Sequence, residues 1–255
     1  AQGVAKLLSI HEVIEGREYK RLCPKFIYTR RSNYPDGGMW LPNALSIACV
    51  DGACDETFMP CDNQGETFMN NKSEPAGCVP NAQKYKGRYY FEITGGIEKI
   101  AEVLQQGYGV LLGARFDYNE WTDVPFVDSN SKLKVGHGFA AVDYVLYKGE
   151  KALIIEDSWG PGHGKGGRRI LTESFIKSRV FYAGYVTSLP NFKFTKLLKF
   201  GSTGLEVKQL QQKLGIKVDG KFGKNTKSAV QGFQKAYGLV ADGIVGPKTR
   251  EKLNK

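Results

Sequence analysis

The sequence predicts an α+β body of two layers, a helical half against a twisted antiparallel sheet half, followed by a small three-helix domain. Three observations carry this. Apolar positions recur with helical spacing before residue 107, short β-rich runs occupy residues 110–186, and a loop-plus-helix unit occurs twice in residues 201–255.

Residues 1–16 place Val4, Leu7, Leu8, Ile10, Val13 and Ile14 nearly all the way round a helix, which marks a helix buried in the core. A polar loop with Pro35, Asp36, Gly37 and Gly38 leads to a second helical stretch at 41–49. Residues 52–90 are rich in Asn, Gly, Pro and Cys and read as irregular surface chain. A helix over 96–106 ends at Gly107 and gives way to the apolar run Val110, Leu111 and Leu112. Strands are predicted at 139–147 and 152–156, joined by a turn through Lys148, Gly149, Glu150 and Lys151, with another at 181–186. The expected organisation is a body over 1–189, a linker over 190–198 and a second domain over 199–255.

With 255 residues, 41% of them hydrophobic, the chain can bury one substantial core and a second, smaller one. No apolar run approaches the ~20 residues of a bilayer-spanning helix, and the first sixteen residues do not read as an export signal. No membrane span is expected. The first residue is not methionine, so a preceding segment is expected.

Five cysteines occur, at 23, 49, 54, 61 and 78. The last four are spaced by five, seven and seventeen residues, with none of the paired C-x-x-C knuckles that hold structural zinc. Free thiols or one or two disulfides are expected, and no metal or other cofactor.

The net charge of +10 is uneven. Residues 201–255 hold eleven Lys or Arg against four Asp or Glu, a net +7, which leaves +3 for the first 200. Such a tail suits an acidic polymer. It carries three aromatics, Phe222, Phe233 and Tyr237, and no basic helix with a base-reading face, so an anionic cell-wall polymer is favoured over nucleic acid.

Within that tail, VDGKFG at 218–223 is echoed 23 residues later by ADGIVG at 241–246. In both copies a threonine follows three residues after the last glycine, at Thr226 and Thr249, and an apolar residue four later, at Val230 and Leu253. Asp-Gly supplies a turn with positive φ at the glycine, and the threonine or the residue before it is expected to cap the next helix. A further helix over 205–214 would complete a three-helix core. The run GSTGLEVKQLQQKLG through VDGKFGKNTKSAV to VADGIVGPKTREKL resembles the peptidoglycan-binding domain shared by many wall hydrolases. The resemblance implies binding of glycan or stem peptide and a location outside the cell, at the cell wall or on a phage virion.

In the body, GHGFAAVDY at 136–144 opens a β-run with His137 at its mouth, and twenty residues on Asp157-Ser158-Trp159-Gly160 follows the next strand. A hairpin of this length brings His137 and Asp157 side by side. A cysteine hydrolase needs this pairing: imidazole takes the thiol proton, and a third group holds the ring in the useful tautomer.

These blocks, in this order, resemble the papain family of cysteine peptidases over residues 1–188. The resemblance implies a catalytic role for His137 and Asp157 and a shielding role for Trp159 over their hydrogen bond. It implies that Gly37 and Gly38 offer backbone hydrogen bonds to an extended peptide substrate. Asp157 stands where the family has asparagine, and His163 where it has a second tryptophan. The run Ala1-Gln2-Gly3-Val4-Ala5 fits the start of the family's long helix, beginning two residues after its nucleophilic cysteine. None of the five cysteines fits that place. Two readings follow, a wall-directed cysteine peptidase whose thiol and oxyanion-hole glutamine precede Ala1, or a non-catalytic binding or virion protein built on the same body.

Overall fold

The computed structural model describes residues 1–62, 64–116, 121, 135–158, 160, 162–188 and 194–254. The chain divides into two compact units, Ala1–Thr187 and Ser188–Lys255.

The first unit begins with α1 (Gln2–Ile14), which buries Val4, Leu7 and Leu8 together with Ser9, His11 and Glu12. Removing those three apolar side chains from water stabilises the helix by about 1.5–3 kcal/mol each. Propensity alone would not hold so short a helix. Two helices pack beside it, α2 (Pro24–Tyr28) and α3 (Leu41–Val50), each with proline in the first turn, where its missing N–H has no helical partner to lose. The segment read as irregular contains α4 (Glu66–Asn70), α5 (Cys78–Ala82) and the start of β1 (Tyr89–Glu92). A Cys54–Cys78 disulfide joins two parts of this segment, and Cys54, Cys78, Cys23, Phe26 and Met59 form a local core with Cys61 against it. Helices of five residues carry too little periodicity to be seen in sequence.

The sheet half follows as α6 (Gly96–Leu104), β2 (Val110–Phe116), β3 (Val135–Tyr147), β4 (Glu150–Glu156), β5 (Arg168–Thr172), α7 (Glu173–Arg179) and β6 (Val180–Thr187). The strands form one antiparallel sheet in the order β1-β6-β2-β3-β4-β5. Neither β5 nor α7 is anticipated by the hydrophobic pattern. Arg168 and Arg169 make β5 polar, and α7 begins on the very next residue, with Thr172 Oγ1 accepting from the Phe175 N–H as its cap.

The two layers meet where side chains are absent. Gly113 and Gly138 are paired across β2 and β3, and Leu41 of α3 sits on them: a Cβ at Gly113 would lie 2.4 Å from Leu41 Cδ1, and one at Gly138 2.9 Å from Leu41 Cδ2. The start of α1 lies equally close to the sheet. A Cβ at Gly3 would stand 3.0 Å from Leu111 Cδ1 and 3.2 Å from the Phe139 carbonyl carbon.

The second unit holds α8 (Leu205–Lys213), α9 (Lys224–Ala236) and α10 (Pro247–Leu253). Phe194 and Leu198, expected in the linker over 190–198, are buried. The Asn254 side chain brackets the Phe194 backbone, accepting from its N–H at 2.6 Å and donating to its carbonyl at 3.1 Å, and Leu198 bridges to Val245. Residues 190–193 of that stretch are outside the described residues.

Gly113→Ala should cost about 1–3 kcal/mol, since the added methyl overpacks Leu41 and Phe181. Urea denaturation of the variant checks this; an unchanged midpoint would mean that the close seat of α3 on the sheet is not there.

Candidate active site

Ladder register places the candidate residues. Ala140 on β3 pairs with Glu156 at the end of β4, so His137, three residues earlier, and Asp157, one residue later, lie at the same end of the hairpin. His137 itself pairs with Ala114 of β2. Asp157 is fixed by its backbone N–H, which donates to the Gly167 carbonyl at 3.0 Å.

The side chains meet. His137 Nε2 lies 2.8 Å from Asp157 Oδ1, with the imidazole 21% exposed and the carboxylate 1%. A charge so buried needs donors on both oxygens. Besides His137, Oδ1 accepts from the Ser158 N–H at 2.6 Å. Oδ2 accepts from Trp121 Nε1 at 2.5 Å and from Arg169 Nε at 3.1 Å. Burial alone would raise the Asp157 pKa. The hydrogen bond and charge of His137, followed by the Trp121 and Arg169 bonds, outweigh it and hold the carboxyl at about 2.

An aromatic wall surrounds the pair. Trp121 stacks on Phe116 at 4.2 Å, and both meet the imidazole edge-on, at 6.1 and 6.0 Å. Trp159, to which the shielding role was assigned from sequence, lies outside the described residues. Trp121 and Arg169 were missed because they belong to no motif block, and Arg169 reads in sequence as one more basic residue in a glycine-rich stretch.

A pocket of about 180 Å³ runs from the first turns of α1 to this corner, lined by Gln2, Gly3 and Lys6 on one side and Gly138, Phe139, Asp157 and Ser158 on the other. Gly37 and Gly38 are exposed in the loop ahead of α3, and Gly38 has φ +75°. The Gly37 carbonyl accepts from Asn33 Nδ2 at 3.2 Å. These glycines adjoin the helix that sits beside Gly138, but no contact brings them to His137 or Asp157 among the described residues. Cys49 is driven up to about 12 by burial, and Cys23 lies in the local disulfide core, so neither has thiolate character to offer.

In the second unit the repeated motif is built around two buried glutamines. The Gln211 amide nitrogen donates to Asp219 Oδ1 (2.8 Å) and the Lys221 carbonyl (2.9 Å), and its oxygen accepts from the Gly220 N–H (2.8 Å). Gln234, 23 residues on, repeats this with Asp242 Oδ1, the Ile244 carbonyl and the Gly243 N–H, at 2.8, 2.9 and 2.8 Å. Gly220 and Gly243 have φ of +72° and +75°, as the Asp-Gly turns require. The expected threonine caps are not formed. Gly223 and Gly246 hold the cap positions, while Thr226 and Thr249 turn inward, 3.0 and 3.1 Å from the glutamine amides, and donate to the Lys221 and Ile244 carbonyls. Beside the first loop a concave surface of about 600 Å³ is lined by Lys217, Lys221, Lys224 and Asn225.

Comparison with known proteins agrees with both units. Residues 203–253 match the family model of the peptidoglycan binding domain. The chain is 44% identical over 70 residues to the zinc D-Ala-D-Ala carboxypeptidase of Streptomyces albus G, and 38% identical over 66 residues to the spore cortex-lytic enzyme of Halalkalibacterium halodurans. Each match covers 24% of this chain, and the chain spans 28% and 20% of those relatives' lengths. Among solved structures it is similar to xylellain, a cysteine protease from Xylella fastidiosa, with 18% identity and a TM-score of 0.61 over 73% of this chain and 77% of that one. The bromelain protease of Ananas comosus gives 17% identity and a TM-score of 0.59 over 73% and 86%. The chain therefore joins a papain-like fold to a peptidoglycan-binding domain.

Because Asp157 titrates lower in the folded chain than its ordinary 3.8, its contribution to stability is complete above that value and is lost as pH falls toward about 2. After allowance for solvent screening, this amounts to roughly 1–2 kcal/mol. Urea unfolding between pH 5 and pH 2 should show that loss, and Asp157→Asn should lack it; parallel acid limbs would mean that the carboxylate is not held as described.

Proposed function

We propose that this chain carries the body of a papain-like cysteine peptidase directed to the bacterial cell wall, with His137 as acid–base group, Asp157 as its orienting partner, and residues 203–253 as the wall anchor. The observation that carries the reading is the His137–Asp157 contact at the corner where α1 begins. With Nε2 engaged by Asp157, proton exchange with a nucleophile falls to Nδ1. A thiol at the head of α1 would pass its proton there, attack the carbonyl carbon of a peptide or stem-peptide bond, and release the amine after Nδ1 returns the proton. Water then hydrolyses the thioester by the same exchange. The helix N-terminus favours the thiolate form of such a residue.

Gly37 and Gly38 would present backbone groups to the substrate strand, and the Phe116 and Trp121 rings keep water from the His137–Asp157 bond. The anchor acts by concentration: it keeps the catalytic unit near bonds that recur along one polymer. The lysines beside its first loop suit the carboxylates and phosphates of bacterial wall, and the site of action is extracellular, at the wall.

In a protein that carries a cysteine ahead of Ala1, His137→Ala should lower peptide-bond hydrolysis of purified sacculi by about 10³-fold or more while sedimentation with them is unchanged. Hydrolysis at the parent rate would remove the peptidase assignment and favour the non-catalytic reading. Deleting residues 199–255 should instead reduce sedimentation. A truncated protein that still pellets in full with sacculi would show that the anchor lies elsewhere.

A further inference from the structure

Arg169 has no side-chain exposure and its Nε lies 3.1 Å from Asp157 Oδ2. Its guanidinium carbon stands 5.1 Å from the centre of the Trp121 ring, which itself donates to the same oxygen. An arginine remains charged in such a place, and burial leaves that charge little screened. The chain has thus set a permanent cation against the carboxylate on the side away from His137. An isolated buried carboxylate would hold its histidine partner as imidazolium far above neutral pH, and a group so held cannot accept a proton.

We propose that Arg169 is a positioning residue of this site: it balances the charge of Asp157, so that the carboxylate orients the His137 imidazole without locking a proton onto it. The geometry gives each oxygen its own task. Oδ1 orients the imidazole, and Oδ2 is neutralised by Arg169 and fixed by Trp121. The inference rests on the reading of His137 and Asp157 as an acid–base pair and adds what tunes it.

Other charges stand around the corner. On α1, Lys6 pairs with Glu156 of β4 at 2.8 Å, and Glu156 pairs with Arg168 of β5 at 2.9 Å, all three in contact with solvent. On β2, Arg115 lies over Phe181. From α7 come Glu173, Lys177 and Arg179, and His163 stands in the turn before β5. Among these the fully buried cation on Asp157 is Arg169.

The test is an equilibrium titration of this chain, which needs no turnover. Imidazole nitrogens are followed by NMR from pH 4 to 9, with the His137 signals assigned by their loss in His137→Gln. Arg169→Gln should raise the His137 midpoint by about one pH unit or more, a tenfold gain in proton affinity, and Arg169→Lys should bring it most of the way back. A merely structural arginine would leave the midpoint where it was in every folded variant, and that result overturns the proposal.

If Arg169→Gln does not fold, the comparison moves to Asp157→Asn against Asp157→Asn with Arg169→Gln, the second removing both partners of the pair. The single variant, with its cation uncompensated, should titrate His137 lower than the double by about a unit; equal midpoints overturn the proposal. Failure here leaves the His137→Ala hydrolysis result intact, and retained hydrolysis there leaves this titration intact, so the two readings fall separately.

Discussion

A carboxylate buried to 1% exposure is stable only where donors reach both of its oxygens, and the first unit is organised to bring them. His137 comes from β3, Arg169 from β5, Trp121 from the chain after β2, and the Ser158 N–H from the residue next to Asp157 itself. Strands β3, β4 and β5 must therefore hold one register. A slip of a single residue in β3 would turn His137 to the other face, and a slip in β5 would carry Arg169 away. The bulge in the β3–β4 ladder between Ala141 and Asp143 lies beyond the Ala140–Glu156 pair, on the side away from His137 and Asp157. The same demand explains the missing side chains at Gly113 and Gly138, which let the helical layer close over the sheet next to His137.

The second unit answers a similar demand at smaller scale. With three short helices its apolar core is modest, consisting of Val207, Leu210, Phe222, Val230, Val245 and Leu253 with Phe194 and Leu198. Its loops are held by polar hubs instead. Gln211 and Gln234 each satisfy a loop carbonyl, a loop N–H and an aspartate, so the turn geometry is dictated from the preceding helix. Burying a fully satisfied amide costs little, whereas an unsatisfied one would cost about 1–3 kcal/mol. The repeat thus fixes each loop in one conformation from within the unit.

What could be read from sequence follows from how local each signal is. Thirteen residues of helical rhythm announce α1, and alternating or continuous apolar runs announce β2, β3, β4 and β6. The pairing of His137 with Asp157 was legible because one hairpin joins them, so their separation is set by strand length alone. Arg169 was not legible: its meaning depends on β5 lying beside β4, and the arginines that obscure β5 as a strand are the ones that serve Asp157 and Glu156. In the second unit the 23-residue interval was visible, and Gln211 and Gln234 obey it too. They were passed over since glutamine on a helix reads as solvent-facing. The threonines were misassigned for a related reason. A capping residue and a buried bridge use the same hydroxyl, and only the position of Gly223 and Gly246 as caps distinguishes them.

Charge is distributed unequally between the units. The body carries +3 over 200 residues and the tail +7 over 55, so attraction to an acidic polymer is concentrated in the binding module. Under the proposed function this division has a physical advantage. If the body itself clung to the polymer by charge, its affinity for substrate and for product would rise together, which does nothing for the chemical step. Placing the attraction in a separate module leaves the corner around Asp157 electrically closed, with Arg169 and Asp157 compensating each other inside and Lys6, Glu156 and Arg168 compensating each other at the rim.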